Sequence, residues 1–314
     1  MTRAFVFPGQ GSQAIGMGKD LSDGSATARA VFEEVNDALD QNLSALMFDG
    51  PIKELTLTYN AQPALMVSSI AVIRVLETEF DVKMADVASY TAGHSLGEYS
   101  SLAAAGTLSL SDTAKLLKIR GEAMQRAVPL GVGAMAAIIG AQFSVVEEIA
   151  DEVSGDQVCN AANDNADGQV VISGHTEAVE RAMEIAKQRG IKRAILLPVS
   201  APFHCSLMQP AADEMEQALG DTTFNAPSIP VITNVSAEPQ SNADTLRDML
   251  VEQITGRVRW RESVVKMGEL GVDSLVELGT GKVLSGFVRR INREITGQSI
   301  QTMADIESYA EDIK

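Results

Sequence analysis

Between Pro129 and Ser200 the periodic runs come in the order strand, helix, strand, strand, helix, strand, and no other feature narrows the fold as far. The runs are AMAAIIG, SVVEEIADEV, QVCNAAN, GQVVISG, EAVERAMEIAKQRG and KRAILLPV. A βαββαβ succession is the ferredoxin-like signature, and here it has the length of a self-contained two-layer unit. The flanking segments follow a simpler rule. Before it, the strand Arg3 to Phe7 leads to the helix ATARAVFEEVNDAL, and Asn60 is placed to cap AQPALMVSSIAVIRVLETEF with Pro63 in its first turn. The strand VASYTAG then runs through GHSLGEYSSLAAAG into a small-residue helix, and Ser111 caps DTAKLLKIRGEAMQRA. After it come a helix from Ser206, the strand PVITNV, helices over DTLRDMLVEQI and RESVVKMGEL, the strand DSLVEL and a helix beyond GTGK. Alternation of this kind predicts an α/β body with a mostly parallel sheet covered on both faces. The expected organisation is a large unit formed by residues 1–127 and 201–314, with the ferredoxin-like unit, 128–200, inserted into it.

Charge and hydropathy remove several functions. A formal net charge of −17 makes the surface repulsive to polyanions, so no nucleic-acid partner is expected. No apolar run approaches the ~20 residues of a membrane-spanning helix. The opening MTRAFVFPGQG carries no signal-like apolar core, which predicts a cytoplasmic protein. Cys159 and Cys205 lack metal-ligand spacing, so neither a metal nor a disulfide is expected. Two basic clusters, Lys187 to Arg193 and Lys282 to Arg293, read as solvated helix faces.

The chemistry concentrates in three places. Gly93-His94-Ser95-Leu96-Gly97 matches G-x-S-x-G between a strand and a helix, the context in which a sharp turn presents a serine nucleophile at the sheet edge. A serine needs a base within hydrogen-bond reach. Of three histidines, His94 is adjacent in sequence and buttresses the turn, and His175 reads as a surface loop residue. His204, in SAPFHCSLM between a strand end and a helix start, is the candidate base. Arg120 shares a helix face with Leu116, Leu117 and Met124, and a guanidinium on an apolar face requires a partner. Either an internal acid or a substrate carboxylate beside Ser95 can fill that role.

The glycine-rich loops test a competing nucleotide-binding reading. GQGSQA satisfies G-x-G-x-x-A, yet the fingerprint also needs a second strand ending in an acid about 20 residues on, and that region is helical in period. GTGK lacks the first glycine and the Ser or Thr of a P-loop. An acyl-transfer serine needs an oxyanion hole instead, and the N–H groups of Leu96 and Gln10 are suitably placed. A serine esterase or thioesterase shares these parts. A non-catalytic nucleotide- or carrier-binding module is the alternative outside enzymology.

Taken together, FVFPGQGSQ, GHSLGEYSSLAAAG, the Arg120 helix, ANDNADGQVVISG, PFHC and LVEQITGRVRW resemble the malonyl-CoA:acyl carrier protein transacylases over nearly the whole chain. The resemblance implies an α/β-hydrolase-like body with the ferredoxin-like insert. It implies ping-pong malonyl transfer from malonyl-CoA to the phosphopantetheine thiol of acyl carrier protein, without a cofactor, by a monomer. Ser95 would be acylated, His204 would be its base, and the Gln253 backbone carbonyl would orient that histidine. Arg120 would grip the malonyl carboxylate, with Gln10 and Leu96 forming the oxyanion hole. Met124, Asn163 and Asn165 match cleft-lining positions, and Phe203 matches a position where a ring accompanies malonyl over methylmalonyl use.

Overall fold

The computed structural model describes residues 2–313. Its strands are β1 (Arg3–Phe7), β2 (Tyr90–Gly93), β3 (Gly133–Ile139), β4 (Cys159–Ala166), β5 (Gln169–His175), β6 (Arg193–Leu196), β7 (Val231–Ile232), β8 (Pro239–Gln240), β9 (Ser274–Leu278) and β10 (Thr296–Ile300). They form two sheets. The larger has the order β10-β9-β1-β2-β7-β8 and is parallel except for β8. The side chains of β1 alternate across it. Phe5 and Phe7 enter the main core, whereas Ala4 and Val6 enter a second core with Trp260, Val264 and Leu275. A strand buried on both faces reads as a continuous apolar run, which is why Ala4 to Phe7 are all apolar.

The smaller sheet, antiparallel in the order β4-β5-β3-β6, is the ferredoxin-like arrangement expected from the element order. Its two faces are also distinguished by strand alternation. Ala134, Ala136, Ile138, Val170 and Ile172 pack with the helices Phe143–Ser154 and Thr176–Gln188. Met135, Ala137 and Val171 instead join the main core, so this sheet is laid against the large body. β4 is the seam. Val258 donates to Ala162 O at 2.8 Å and accepts from Asp164 N–H at 2.9 Å, and the buried Asp164 carboxylate pairs with Arg261 at 2.8 Å.

Several boundaries differ from the sequence expectation. The long helix runs Thr58–Glu79, so it begins before Asn60, whose side chain instead donates to Glu54 O at 2.9 Å and accepts from Gln41. Pro63 therefore lies past the first turn, and Tyr59 O loses its usual i+4 donor. Ser109, not Ser111, caps the helix Leu110–Ala127 by accepting from Asp112 N–H at 3.0 Å. The Ser111 hydroxyl reaches Glu34. PVITNV contributes only the two-residue β7, because the chain turns at Thr233 to meet β8. β10 and the helix Met303–Asp312 complete the fold beyond the last element read from sequence.

Candidate active site

The turn from β2 to the helix Leu96–Ala104 holds Ser95 at φ 54°, ψ −112°, a backbone region that a serine rarely occupies. Such a conformation costs on the order of 1–3 kcal/mol and persists only when surrounding contacts determine it. Close packing supplies part of that constraint. A Cβ at Gly93 would lie 1.8 Å from Gly97 O, and one at Gly97 would lie 2.3 Å from Phe7 O. The glycines of G-x-S-x-G thus let β1, β2 and the following helix approach to contact distance. Asn234, which follows β7, supplies the rest. Its Oδ1 accepts from Ser95 N–H at 2.7 Å and its Nδ2 donates to Gly93 O at 2.6 Å, clamping both ends of the turn.

His204 comes to the same point from the segment 201–205, also with a positive φ, 60°. Its Nδ1 lies 2.9 Å from the Gln253 carbonyl, at the end of the helix Ala243–Thr255. A carbonyl only accepts, so Nδ1 carries the proton and Nε2 presents its lone pair to Ser95 Oγ at 2.8 Å. Burial, the nearby Arg120 cation and, more weakly, His94 push the His204 imidazole down to about 3, against the opposing bonds to Gln253 and Gly256. The ring is therefore neutral at neutral pH and free to take a proton.

Arg120 is buried, with only 1% of its surface exposed. It reaches the site because its neighbour Gly121 brings two helices together, where an added Cβ would fall 2.4 Å from Tyr59 Cα. Nη1 donates to Gln62 Oε1 at 2.8 Å, and Nη2 donates to Gln253 Oε1 at 2.8 Å and to Ser95 Oγ at 3.1 Å. Tyr99 lies under the guanidinium, 5.5 Å from ring centroid to Cζ. Among the described residues no carboxylate comes within 4.0 Å of it, and Nε makes no hydrogen bond. Of the two partners open to Arg120 from the sequence, an internal acid is not in contact. The guanidinium is held by neutral groups, with donor capacity left over.

The remaining expected residues divide. Gly9 is packed against the turn, since a Cβ there would sit 2.9 Å from His94 O, which brings the loop carrying Gln10 to the Ser95 turn. Among the described residues neither the Gln10 nor the Leu96 N–H has a protein acceptor. His94 buttresses the turn as expected: its Nε2 meets Asn165 Oδ1 at 2.8 Å, and its ring stands 5.9 Å from that of Trp260. Asn165 thus supports the turn through His94. Asn163 is buried in β4 and bridges to Val258. Met124 and Phe203 are both buried in the main core, and Met124 Sδ lies 3.8 Å from Gln62 Nε2. His204 lines a cavity of about 370 Å³ together with Asn160, Ser206, Gln209 and Thr255 among others.

Sequence reasoning missed Gln62, Asn234 and Glu98. The fully buried Glu98 carboxylate lies below the turn, its Oε2 accepting from Gln253 Nε2 at 2.7 Å and from Asn234 N–H at 3.1 Å. Burial pushes it up to about 7 against those two bonds and the Arg120 charge. It carried a signal, being the only carboxylate between Gly93 and Ala105, in an otherwise small and apolar helix. His175 is not in the site: its Nδ1 accepts from Val158 N–H at 2.8 Å at the far end of β5.

The acyl transferase domain family matches residues 4–305, which spans both sheets and every residue of this cluster. The chain belongs to the acyl transferase family. Among its relatives, the malonyl CoA-acyl carrier protein transacylase of Bacillus subtilis (strain 168) is 44% identical over 312 residues, covering 99% of this chain and 97% of the relative. The acyl-carrier-protein-S-malonyltransferase of Bartonella henselae superposes with a TM-score of 0.97 at 54% identity, over 100% of this chain and 99% of that one. A malonyl-transacylase solved in complex with its type II PKS acyl-carrier protein superposes with a TM-score of 0.95 at 40% identity, over 99% of this chain and 100% of that one. No helix of this acyltransferase, among the described residues, is long and apolar enough to cross a membrane.

Proposed function

We propose that this acyltransferase moves the malonyl group of malonyl-CoA to the phosphopantetheine thiol of an acyl carrier protein through an ester on Ser95. The observation that carries the reading is the buried Arg120 guanidinium, without a carboxylate partner among the described residues and 3.1 Å from Ser95 Oγ. An acyl group with a second, free carboxylate satisfies it while presenting the thioester to Ser95. As Oγ attacks the thioester carbonyl, its proton passes to His204 Nε2, and the oxyanion meets the Gln10 and Leu96 N–H groups. Collapse expels the CoA sulfur, which takes the proton from His204. The carrier thiol then gives its proton to His204 and attacks the ester, and Ser95 recovers its hydrogen. The Gln253 carbonyl keeps the imidazole in the required tautomer throughout. Binding of the malonyl carboxylate also offsets the cation that holds His204 down, so the base strengthens when the correct substrate arrives.

In this reading Met124, Phe203, Asn163 and Asn165 line or support the acyl cleft. The division into 1–127 with 201–314 and 128–200 is supported by the two separate sheets. The protein works as a cytoplasmic monomer with no nucleic-acid partner. An acidic carrier docks where Arg289, Arg290 and Arg293 line a depression of about 640 Å³. Arg290 also ties the large body to the β4–β5 turn through Asp167 O and Gln169, so charge reversal at Arg289 and Arg293 probes docking with less damage to the fold. The test of transfer is release of CoA from malonyl-CoA with and without carrier protein. Release that depends on carrier and yields malonyl-carrier supports transfer; equal release without carrier, yielding malonate, makes the protein a thioesterase.

A further inference from the structure

Glu98 is a carboxylate that the acyl-transfer steps do not use, and the fold accommodates it poorly. Oε2 has two donors, but Oε1 is buried and has no hydrogen-bond partner among the described residues. An acid left half-satisfied in the interior is costly, and an apolar side chain of that volume would be easier to bury. What Glu98 holds supplies a reason for its presence.

The Gln253 amide has two different ends, and each faces a partner that suits only one of them. Nε2 donates to Glu98 Oε2 at 2.7 Å and to Ser95 O at 3.0 Å, while Oε1 accepts from Arg120 Nη2 at 2.8 Å. Rotated by half a turn, the amide would set an NH2 group against the guanidinium and withdraw its two hydrogen bonds from Glu98 Oε2 and Ser95 O. Ser95 O also accepts from Glu98 N–H at 3.0 Å, so the carboxylate is the strong acceptor that fixes the amide. The same oxygen holds the backbone of Asn234, whose side chain clamps the Ser95 turn. One carboxylate oxygen is therefore joined, through single intermediates, to the nucleophile's turn and to the carboxylate-binding arginine.

We propose that Glu98 is a positioning residue that keys the Gln253 side-chain amide and thereby sets where Arg120 presents its guanidinium beside Ser95. This rests on the reading that Arg120 binds the malonyl carboxylate. The test is the ratio of kcat/KM for malonyl-CoA to that for acetyl-CoA, measured on the full chain with carrier protein. Loss of folded enzyme lowers both substrates alike and leaves the ratio unchanged, whereas a misplaced Arg120 lowers it.

Glu98→Gln keeps an oxygen that accepts both bonds and is expected to hold the ratio within ~3-fold of the unaltered protein. Glu98→Ala is expected to lower the ratio by ~30-fold or more, mainly through a higher KM for malonyl-CoA. An unchanged ratio in Glu98→Ala overturns the proposal, as does a Glu98→Gln variant as defective as the alanine. Should Glu98→Ala not fold, Gln253→Leu removes the amide while keeping the main-chain carbonyl for His204, and a wild-type ratio there also overturns it. Arg120→Ala separates the two levels. A wild-type ratio in that variant overturns the carboxylate reading and this proposal with it. A collapsed ratio there beside a wild-type ratio in Glu98→Ala overturns only the role of Glu98.

Discussion

Two strand-to-helix turns leave the parallel sheet on either side of β1, one after β2 and the other after β9, and each has a fully buried glutamate beside it. After β9, the turn at Gly279–Lys282 uses glycines for its positive φ angles, 110° at Gly279 and 105° at Gly281. Its glutamate, Glu277, is satisfied by Leu284 N–H, Ser285 N–H and the Ser285 hydroxyl at the start of the next helix. After β2, the positive φ falls on Ser95, and Glu98 has an oxygen without a donor among the described residues. The first turn is relaxed and complete, as a structural junction should be. In the second, strain and an unsatisfied polar group coincide with Ser95, the proposed nucleophile, and they distinguish it from a topologically similar turn.

The contrast can be broken by substitution. Gly97→Ala places a Cβ against Phe7 O, forcing the elbow open, and kcat/KM for malonyl transfer is expected to fall ~10²-fold or more as Ser95 leaves its geometry. Steady-state kinetics beside circular dichroism checks this; a folded variant with normal kinetics would show that close packing at Gly97 does not hold the turn. Glu277→Ala strips three donors of their acceptor and is expected to lower stability by ~3 kcal/mol in denaturant unfolding. The protein that stays folded keeps the malonyl-to-acetyl ratio, and a changed ratio would erase the distinction between the turns.

A smaller effect comes from the charge on Glu98. Burial raises its carboxyl from an ordinary 4.5 to about 7, so between those values the folded protein holds a proton that the unfolded chain releases. Stability contributed by that proton is present below pH 4.5 and is lost as pH rises through 7. Glu98→Gln has no such proton. Its stability relative to the unaltered protein is expected to improve by ~2 kcal/mol between pH 5.5 and pH 8. Denaturant unfolding at the two pH values checks the sign, and a difference independent of pH would contradict the burial effect.

Much of this arrangement is legible in the amino-acid sequence. The βαββαβ order is legible because β3 and β5 run largely apolar and both helices have a clear polar face, whereas the polar but mostly buried β4 is fixed by its pairing with β5. Ser95, His204 and Arg120 stood out because their residue types fit poorly with a purely structural role in their local context. β10 was missed because TGQSI is mostly polar and exposed, and only pairing with β9 makes it a strand. Asn60 and Ser111 are good capping residues that the helices do not use, since tertiary packing set the helix starts. Gln62 and Asn234 were invisible for a related reason. An amide acquires its role from partners 58 and 139 residues away, and nothing in its local sequence announces them.

The account turns on where the acyl group is held. Brief incubation of the unaltered protein with malonyl-CoA, followed by acid quenching and peptide mapping by mass spectrometry, locates it directly. The predicted result is a malonyl ester on Ser95 that disappears when carrier protein is added before the quench. A malonyl group on another residue, such as Cys205, or an ester on Ser95 that carrier protein does not discharge, would contradict it.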